Sequence, residues 1–200
     1  MELKTFIFIG CSGCGKGTQA ELIQEYLKKE SSGQELLYVE AGERFREFLK
    51  NGTYASKLSK DIYMNGDLQP AFLSIWVWAD LLIHSLKEKM HLILDGSPRK
   101  LNEAHVIHEA LQFYKRENPY VVFIDVSRDW ATERLRGRNR EDDKDDDNIK
   151  KRLDWFEKDV MPAIEFFREN PYYNFLEING QQSIEDVHKE IIEKFKFDLN

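Results

Sequence analysis

The sequence predicts an α/β fold, a five-stranded parallel sheet with helices on both faces. Three observations carry that expectation. Short apolar runs recur at residues 4–9, 35–39, 92–94, 120–126 and 174–178 of the 200. Helix-period segments, apolar every three or four positions, separate them. The first run ends directly on a glycine-rich turn that opens a helix. Strands that alternate with helices pair in parallel, and their helices cover both faces.

Taken in order, Thr5-Phe6-Ile7-Phe8-Ile9 is the first strand. The turn from Gly10 to Thr18 follows, and Gln19-Ala20-Glu21-Leu22-Ile23 continues as a helix. The strand at 92–94 runs into Asp95-Gly96-Ser97-Pro98-Arg99, and the strand at 120–126 into Ser127. Ile149, Leu153, Phe156, Val160, Ile164 and Phe167 step by three or four, which predicts one long helix face, kinked at Pro162. Ile184, Val187, Ile191 and Phe195 predict a last helix after the final strand. Ligands in such sheets sit at the carboxyl ends of strands, so Gly10, Asp95 and Ser127 are expected near one another.

The turn Gly10-Cys11-Ser12-Gly13-Cys14-Gly15-Lys16-Gly17-Thr18 has the form of a P-loop. Its glycines let main-chain N–H groups approach phosphate oxygens, and the helix N-terminus adds partial positive charge. Lys16 reaches the terminal phosphates, and a following hydroxyl faces Mg²⁺. The usual pattern puts that hydroxyl directly after the lysine. Here Gly17 intervenes and Thr18 supplies it.

Bulk properties narrow the rest. Two hundred residues suit one domain, and a 42% hydrophobic fraction fills a core. A net charge of −7 repels nucleic acid and anionic membranes, so neither is an expected partner. A polyanionic ligand then needs a local cationic site. Cys11 and Cys14, the two cysteines, stand inside the phosphate turn, where they read as small residues of a tight loop rather than a zinc or redox pair. That usage predicts a reducing, cytoplasmic setting. The first strand starts close to Met1, which predicts no leader peptide, and the apolar block at 72–86 is too short and too polar to span a bilayer. No exposed apolar repeat argues for assembly, so a monomer is expected.

Arg134, Arg136, Arg138 and Arg140 form a basic run, followed at once by the acids Glu141, Asp142, Asp143, Asp145, Asp146 and Asp147. The pattern predicts a flap whose arginines fold over a polyphosphate and whose acids hold them otherwise. Asp145, Asp146 and Asp147 suit the N-terminus of the long helix, where the dipole favours them. Asp95, at a strand end beside the loop, is placed to serve Mg²⁺, and Arg99 offers a planar fork for phosphate.

These motifs, in this order, resemble the adenylate kinase family of nucleoside monophosphate kinases. Gly10 to Gln19 matches its phosphate loop, including the Gly-Lys-Gly-Thr-Gln ending that explains the displaced hydroxyl. Asp95 to Arg99 matches its Asp-Gly-Phe-Pro-Arg motif, with Ser97 for Phe. Gly42-Glu43-Arg44-Phe45-Arg46 matches the start of its acceptor helix, and Gly66-Asp67-Leu68-Gln69-Pro70 its Gly-x-Leu-x-Pro turn. Arg134 and Arg138 match the start of its lid. Arg140-Glu141-Asp142-Asp143 and Lys151-Arg152-Leu153 match the lid's end.

The resemblance implies one P-loop kinase domain. Its core is 1–40, 71–134 and 152–200, with a mobile acceptor-binding insert at about 41–70 and a short lid at about 135–150. It implies that Gly13, Cys14, Gly15, Lys16, Gly17, Thr18, Arg134 and Arg138 bind ATP. It places Ala41, Gly42, Arg46, Gln69, Gly96, Arg99 and Glu103 at the acceptor nucleotide. Lys16, Arg99, Arg138, Arg140 and Arg152 surround the transferring phosphoryl group. Mg²⁺ accompanies ATP near Thr18 and Asp95, partly through water. The short lid has no cysteine, so no zinc is implied.

The implied reaction is ATP plus AMP giving two ADP. Its attacking phosphate oxygen is already anionic, so no general base is required, and the scattered histidines supply none. Two positions depart from the adenine-specific pattern. Ala41 stands where Thr is usual, and Glu103 stands where Gln is usual, four residues after Arg99. Ionised Glu only accepts hydrogen bonds, which suits guanine's N–H donors as well as adenine. A kinase for GMP, UMP or CMP therefore stays open, as does a nucleotide-binding regulator without turnover. The complete set of acceptor arginines argues against the regulator.

Overall fold

The computed structural model describes residues 3–31, 33–138, 143 and 145–197. Five strands, β1 (Thr5–Ile9), β2 (Glu35–Glu40), β3 (Met90–Asp95), β4 (Tyr120–Asp125) and β5 (Asn174–Asn179), form one sheet in the order β2-β3-β1-β4-β5. Every adjacent pair is parallel. The order reverses at β1, so its neighbours β3 and β4 flank the chain where it leaves β1. Crevices for ligands open at such a switch point.

Side chains alternate between the sheet's faces. Phe6 and Phe8 of β1 join a core with Ala20, Ile23 and Leu27 of α1 (Lys16–Glu30) and Val187, Ile191 and Phe195 of α9 (Ile184–Phe197). Ile7 and Ile9 face the other way. They meet Trp78 and Leu82 of α4 (Ala71–Ser85) and Ile107 and Leu111 of α5 (Leu101–Phe113). A third, smaller core packs Ala41, Phe45 and Phe48 of α2 (Ala41–Phe48) on Leu73 and Val77 of α4. With α3 (Tyr54–Met64), α2 makes up the segment between β2 and α4.

β3 is longer than the apolar run at 92–94 because His91 is buried as part of the strand. Its Nδ1 accepts the Lys4 N–H at 2.9 Å, and its Nε2 lies 3.0 Å from Ser31 Oγ. A polar ring with both nitrogens partnered is tolerated in a core.

The single long helix face does not hold. The chain forms α7 (Asp146–Trp155), a wider π turn over Phe156–Val160, and α8 (Met161–Glu169). A proline ring collides with the carbonyl four residues back, here Lys158, and the widened turn just before Pro162 makes room for it. The extra residue rotates the apolar stripe. Ile149 and Leu153 enter the core with α1, whereas Val160, Ile164 and Phe167 enter the core with α5. Phe156 touches both. Among the described residues no helix is long and apolar enough to cross a membrane.

Candidate active site

The phosphate loop leaves β1 at the switch point. Gly13 has φ +88, and a Cβ there would come 2.9 Å from the Ala131 carbonyl oxygen of α6 (Arg128–Gly137). A side chain would meet both strain and a main-chain clash. Lys16 Nζ donates to the carbonyls of Gly10 and Cys11, each at 2.8 Å, and lies 3.6 Å from Cys14 Sγ. Burial alone would raise the Cys14 thiol, but its contacts with Cys11 and Lys16 bring it down to about 6. Both cysteines are free and buried under the loop.

A cavity of about 640 Å³ opens over this loop. Its walls include Gly13, Gly15, Lys16, Gly17 and Thr18 from the loop and Asp95, Gly96 and Arg99 from the turn after β3. Gly42, Arg46 and Gln69 line it from the segment between β2 and α4, and Arg134, Arg138 and Arg152 from α6 and α7 and the segment between them. The topology thus gathers cations from four separate stretches of sequence. Among the described residues no cluster of His, Cys, Asp or Glu could hold a metal unaided.

Two guanidinium groups converge beside Gly42. A Cβ there would stand 3.2 Å from Arg46 Nη1 and 3.8 Å from Arg99 Nη2. Arg46 pairs with Glu40 at 3.2 Å, and Arg99 Nε donates to the Gly96 carbonyl at 3.1 Å. Burial pushes the Arg99 pKa down, and the charges of Arg46 and Arg152 push the same way. Glu103 and Asp95 oppose them. Asp95 itself accepts from the Tyr38 hydroxyl at 3.0 Å.

Asp143 joins two of the arginines. Arg138 donates to both its oxygens, at 2.6 and 3.1 Å, and Arg152 pairs with it as well. Burial would raise the Asp143 carboxyl, but the bonds from the two arginines outweigh it and hold its pKa low. One acid of the acidic run thus pairs with Arg138 of the basic run and with Arg152 of α7. Asp145 caps α7 by accepting from the Asp147 N–H at 2.9 Å, with Asp146 and Asp147 in the first turn, as the acidic run predicts. Arg134 lies over the Trp130 ring, 5.7 Å from its centroid. Arg140, expected among the phosphoryl-transfer residues, lies outside the described residues.

One face of α7 also grips the turn that ends α3. Asn148, Lys151 and Trp155 donate to the consecutive carbonyls of Met64, Asn65 and Gly66 at 3.1, 3.0 and 3.1 Å. Gly66 has φ +71, and a Cβ there would meet Asn148 atoms at 3.0 to 3.3 Å. Glycine lets the two backbones approach.

Three expected site residues stand elsewhere. Glu103 does not line the cavity. Its carboxylate, 1% exposed, accepts Trp78 Nε1–H at 3.0 Å and the Arg99 N–H at 2.7 Å. Helix α5 begins at Leu101, so Glu103 falls in its first turn, facing back to the turn that carries Arg99. Burial raises the Glu103 pKa, against the pull of Arg99, Trp78 and Ser97. Ala41 is packed into the small core between α2 and α4. The Cys14 N–H is turned to the Cys11 carbonyl at 3.3 Å, and its side chain is in the core.

Conversely, Glu21, Glu40, Tyr63, Asp67 and Trp155 line the cavity without having been singled out for it. Trp155 was findable, since it lies three residues after Arg152 and shares its helix face. Glu40 carried no such sign. Burial, then Glu43 and Asp95, raise its pKa.

A phosphate loop at a switch point, with a ring of arginines around one cavity, defines a nucleotide-binding phosphotransferase. The adenylate kinase family model matches residues 8–172. "Adenylate kinase 1" of Nostoc sp. is 32% identical over 188 residues, covering 92% of this chain and 95% of the relative. "Adenylate kinase" of Leptospira biflexa is 32% identical over 193 residues, with 95% and 98% covered. "Adenylate kinase" of Encephalitozoon cuniculi is 29% identical over 192 residues, with 96% and 97% covered. The chain belongs to the adenylate kinase family and is an ATP-dependent nucleoside monophosphate kinase.

Proposed function

We propose that the chain transfers the γ-phosphoryl group of MgATP reversibly to AMP, giving two ADP. One observation carries the reading: Lys16, Arg46, Arg99, Arg138 and Arg152 all face a single cavity. Two anions are brought together there only if cations neutralise both, and alignment with charge stabilisation is what phosphoryl transfer requires. Lys16 turns from the loop carbonyls to the donor phosphates, and Arg46 and Arg99 clamp the acceptor phosphate. Arg138 and Arg152 exchange Asp143 for the transferring group. Arg134 packs on the donor base.

Thr18 and Asp95 offer hard oxygen donors on this cavity, which fits Mg²⁺ held mainly by nucleotide phosphates and water. Bound with ATP there, the ion would supply positive charge against the negative charge that develops on the phosphates. The insert at 41–70 and the lid at 135–150 close on the nucleotides and exclude water.

AMP is favoured as acceptor because Glu103, the residue that opened the choice to guanine, is spent on Trp78 and Arg99. The test is a panel of AMP, GMP, UMP and CMP with MgATP in a coupled assay for ADP. AMP is expected to turn over fastest. Faster turnover of another monophosphate overturns the acceptor assignment, and no turnover of any overturns the reaction.

A further inference from the structure

The proposed reaction uses the side chain of neither Cys11 nor Cys14, yet the phosphate loop brings the two thiols together. The Cys14 N–H bonds the Cys11 carbonyl at 3.3 Å, which closes a turn over the residues between them. Such a turn holds its first and fourth Cα atoms within about 7 Å. A disulfide spans about 4.4–6.8 Å between Cα atoms, so the pair is within reach of one. Both side chains enter the same core, where the thiols hydrogen-bond each other. Lys16 Nζ, anchored on the Gly10 and Cys11 carbonyls, lies 3.6 Å from Cys14 Sγ. A cation and a thiol donor thus face one sulfur, and both favour its thiolate, the nucleophilic form. These contacts hold Cys14 at about 6, whereas the bond to Cys14, then burial, pushes Cys11 up. Their spacing alone marks a tight loop, and the contacts add a reactivity that spacing does not show.

We propose that the pair is a reversible oxidation site for peroxide, with Cys14 the attacking sulfur and Cys11 the resolving one, and that the disulfide form binds ATP weakly. Cys14 is 4% exposed, which favours a small oxidant such as hydrogen peroxide over a bulky disulfide. The Cys14 thiolate attacks one peroxide oxygen, the O–O bond breaks, and the departing hydroxide takes a proton to become water. The Cys11 thiol then attacks the sulfur of the Cys14 sulfenic acid. The S–O bond breaks, and the Cys11 proton leaves with the hydroxyl as a second water. Two thiols are oxidised and one peroxide is reduced to two waters. The bridge draws Cys14 Sγ toward Cys11 and away from Lys16. It also pulls on the main chain leading into Gly15, whose left-handed φ of +98 starts α1. The loop's N–H groups and Lys16 both depend on that shape, so the grip on phosphate loosens.

The experiment treats the purified protein with hydrogen peroxide and reads intact mass, peptide mass and ATP affinity by calorimetry. Wild-type protein is expected to lose two hydrogens within one peptide that holds both cysteines. Its ATP Kd is expected to rise by about tenfold or more, the value of one charge-assisted hydrogen bond. Dithiothreitol should restore both. Cys11→Ala should stop at a Cys14 sulfenic acid, which dimedone traps, and Cys14→Ala should leave Cys11 unmodified. Thiols that persist in treated wild type, or a bridge between two chains instead of within one, overturn the inference without any variant, so a variant that fails to fold does not shelter it. A disulfide that leaves ATP affinity unchanged overturns its effect on the loop. Dimedone on Cys11 in Cys14→Ala overturns the assignment of roles. Mass and ATP affinity need no acceptor, so these outcomes are independent of which monophosphate is phosphorylated.

Discussion

On the proposed function, the glycine-rich phosphate loop binds chiefly through its main chain and Lys16, whereas the insert at 41–70 binds through its side chains. Gly13 cannot take a Cβ, and Lys16 is held by two loop carbonyls. The loop's function is therefore fixed by backbone shape, and sequence spacing records it. Recognition in the insert depends on which side chain points inward. Such a role can move between elements without altering the fold, and Glu103 is turned to Trp78 and Arg99 instead of the cavity. Conserving a backbone shape constrains many residues, while conserving one hydrogen bond constrains only a place in space.

The largest effects should come from the charges that both halves share. Lys16→Met is expected to lower kcat/KM by about 10³, and Arg99→Ala by about 10² or more, as loss of a charge-stabilising donor does. Steady-state kinetics with each substrate varied checks this. The contrast lies in the acceptor panel. Lys16→Met should slow every acceptor by the same factor, since it acts at the donor. Near-normal turnover in Arg99→Ala would break the assignment of that arginine to the acceptor phosphate.

Gly66→Ala should separate the halves next. The new Cβ would press on Asn148 and would need φ near +71, a combination that costs about 1–3 kcal/mol. The turn would withdraw from α7, so the acceptor KM is expected to rise by roughly tenfold with the ATP KM within about twofold. Equal rises in both would show that the turn serves the whole cavity rather than the insert.

Asp143→Asn tests the lid with a pH signature. The Asp143 carboxyl titrates below its ordinary value of 3.8. A depressed carboxylate contributes stability that is fully present above that value and is lost as pH falls through the lower, folded one. At neutral pH the variant should be destabilised by roughly 2 kcal/mol, from the bonds lost to Arg138 and Arg152. Thermal melts of the two proteins should converge only as pH falls below 3.8 and through the lower folded value, where wild-type Asp143 becomes protonated too. Parallel melting curves across that range would mean that charge is not what binds the two arginines.

Much of the fold was legible because strands and helices write their period into the chain, and the five apolar runs all became strands. The loop, Asp95, Arg99 and the lid arginines were legible because each sits at a strand end or on a spaced motif. What escaped was set by tertiary packing. The stripe from Ile149 to Phe167 looks continuous, yet Pro162 forces a π turn that sends its ends to different cores. His105 and His108 share a helix face, but both rings pack on Phe166, and His108 Nδ1 lies 3.0 Å from the Tyr173 hydroxyl. Glu103 was expected at the acceptor base through the family resemblance, which puts a Gln four residues after the arginine. Nothing in the sequence near it announces that Trp78, far along the chain, holds one of its oxygens.

Glu103→Gln is the smallest change and the sharpest test of that relocation. The carboxylate offers two oxygens to two N–H donors, Trp78 Nε1 and Arg99 N. An amide offers one oxygen and leaves a donor facing its own NH₂ group, which costs about 1–3 kcal/mol. Removing a buried charge offsets part of this, so a net loss near 1 kcal/mol is expected, read as a lower Tm. The wild-type protein should also lose stability as pH rises above 4.5, because burial holds the folded Glu103 pKa above that ordinary value. The loss ends once pH passes the raised folded value. Glu103→Gln should lack that slope. Its kcat/KM should fall by the same modest factor for AMP and for purine riboside 5′-monophosphate, which carries hydrogen in place of the 6-amino group, since on the proposed function Arg99 clamps a phosphate that both share. A changed ratio between the two would return base reading to position 103, and the side-chain roles of the acceptor half would then be as fixed in sequence as the backbone of the donor loop.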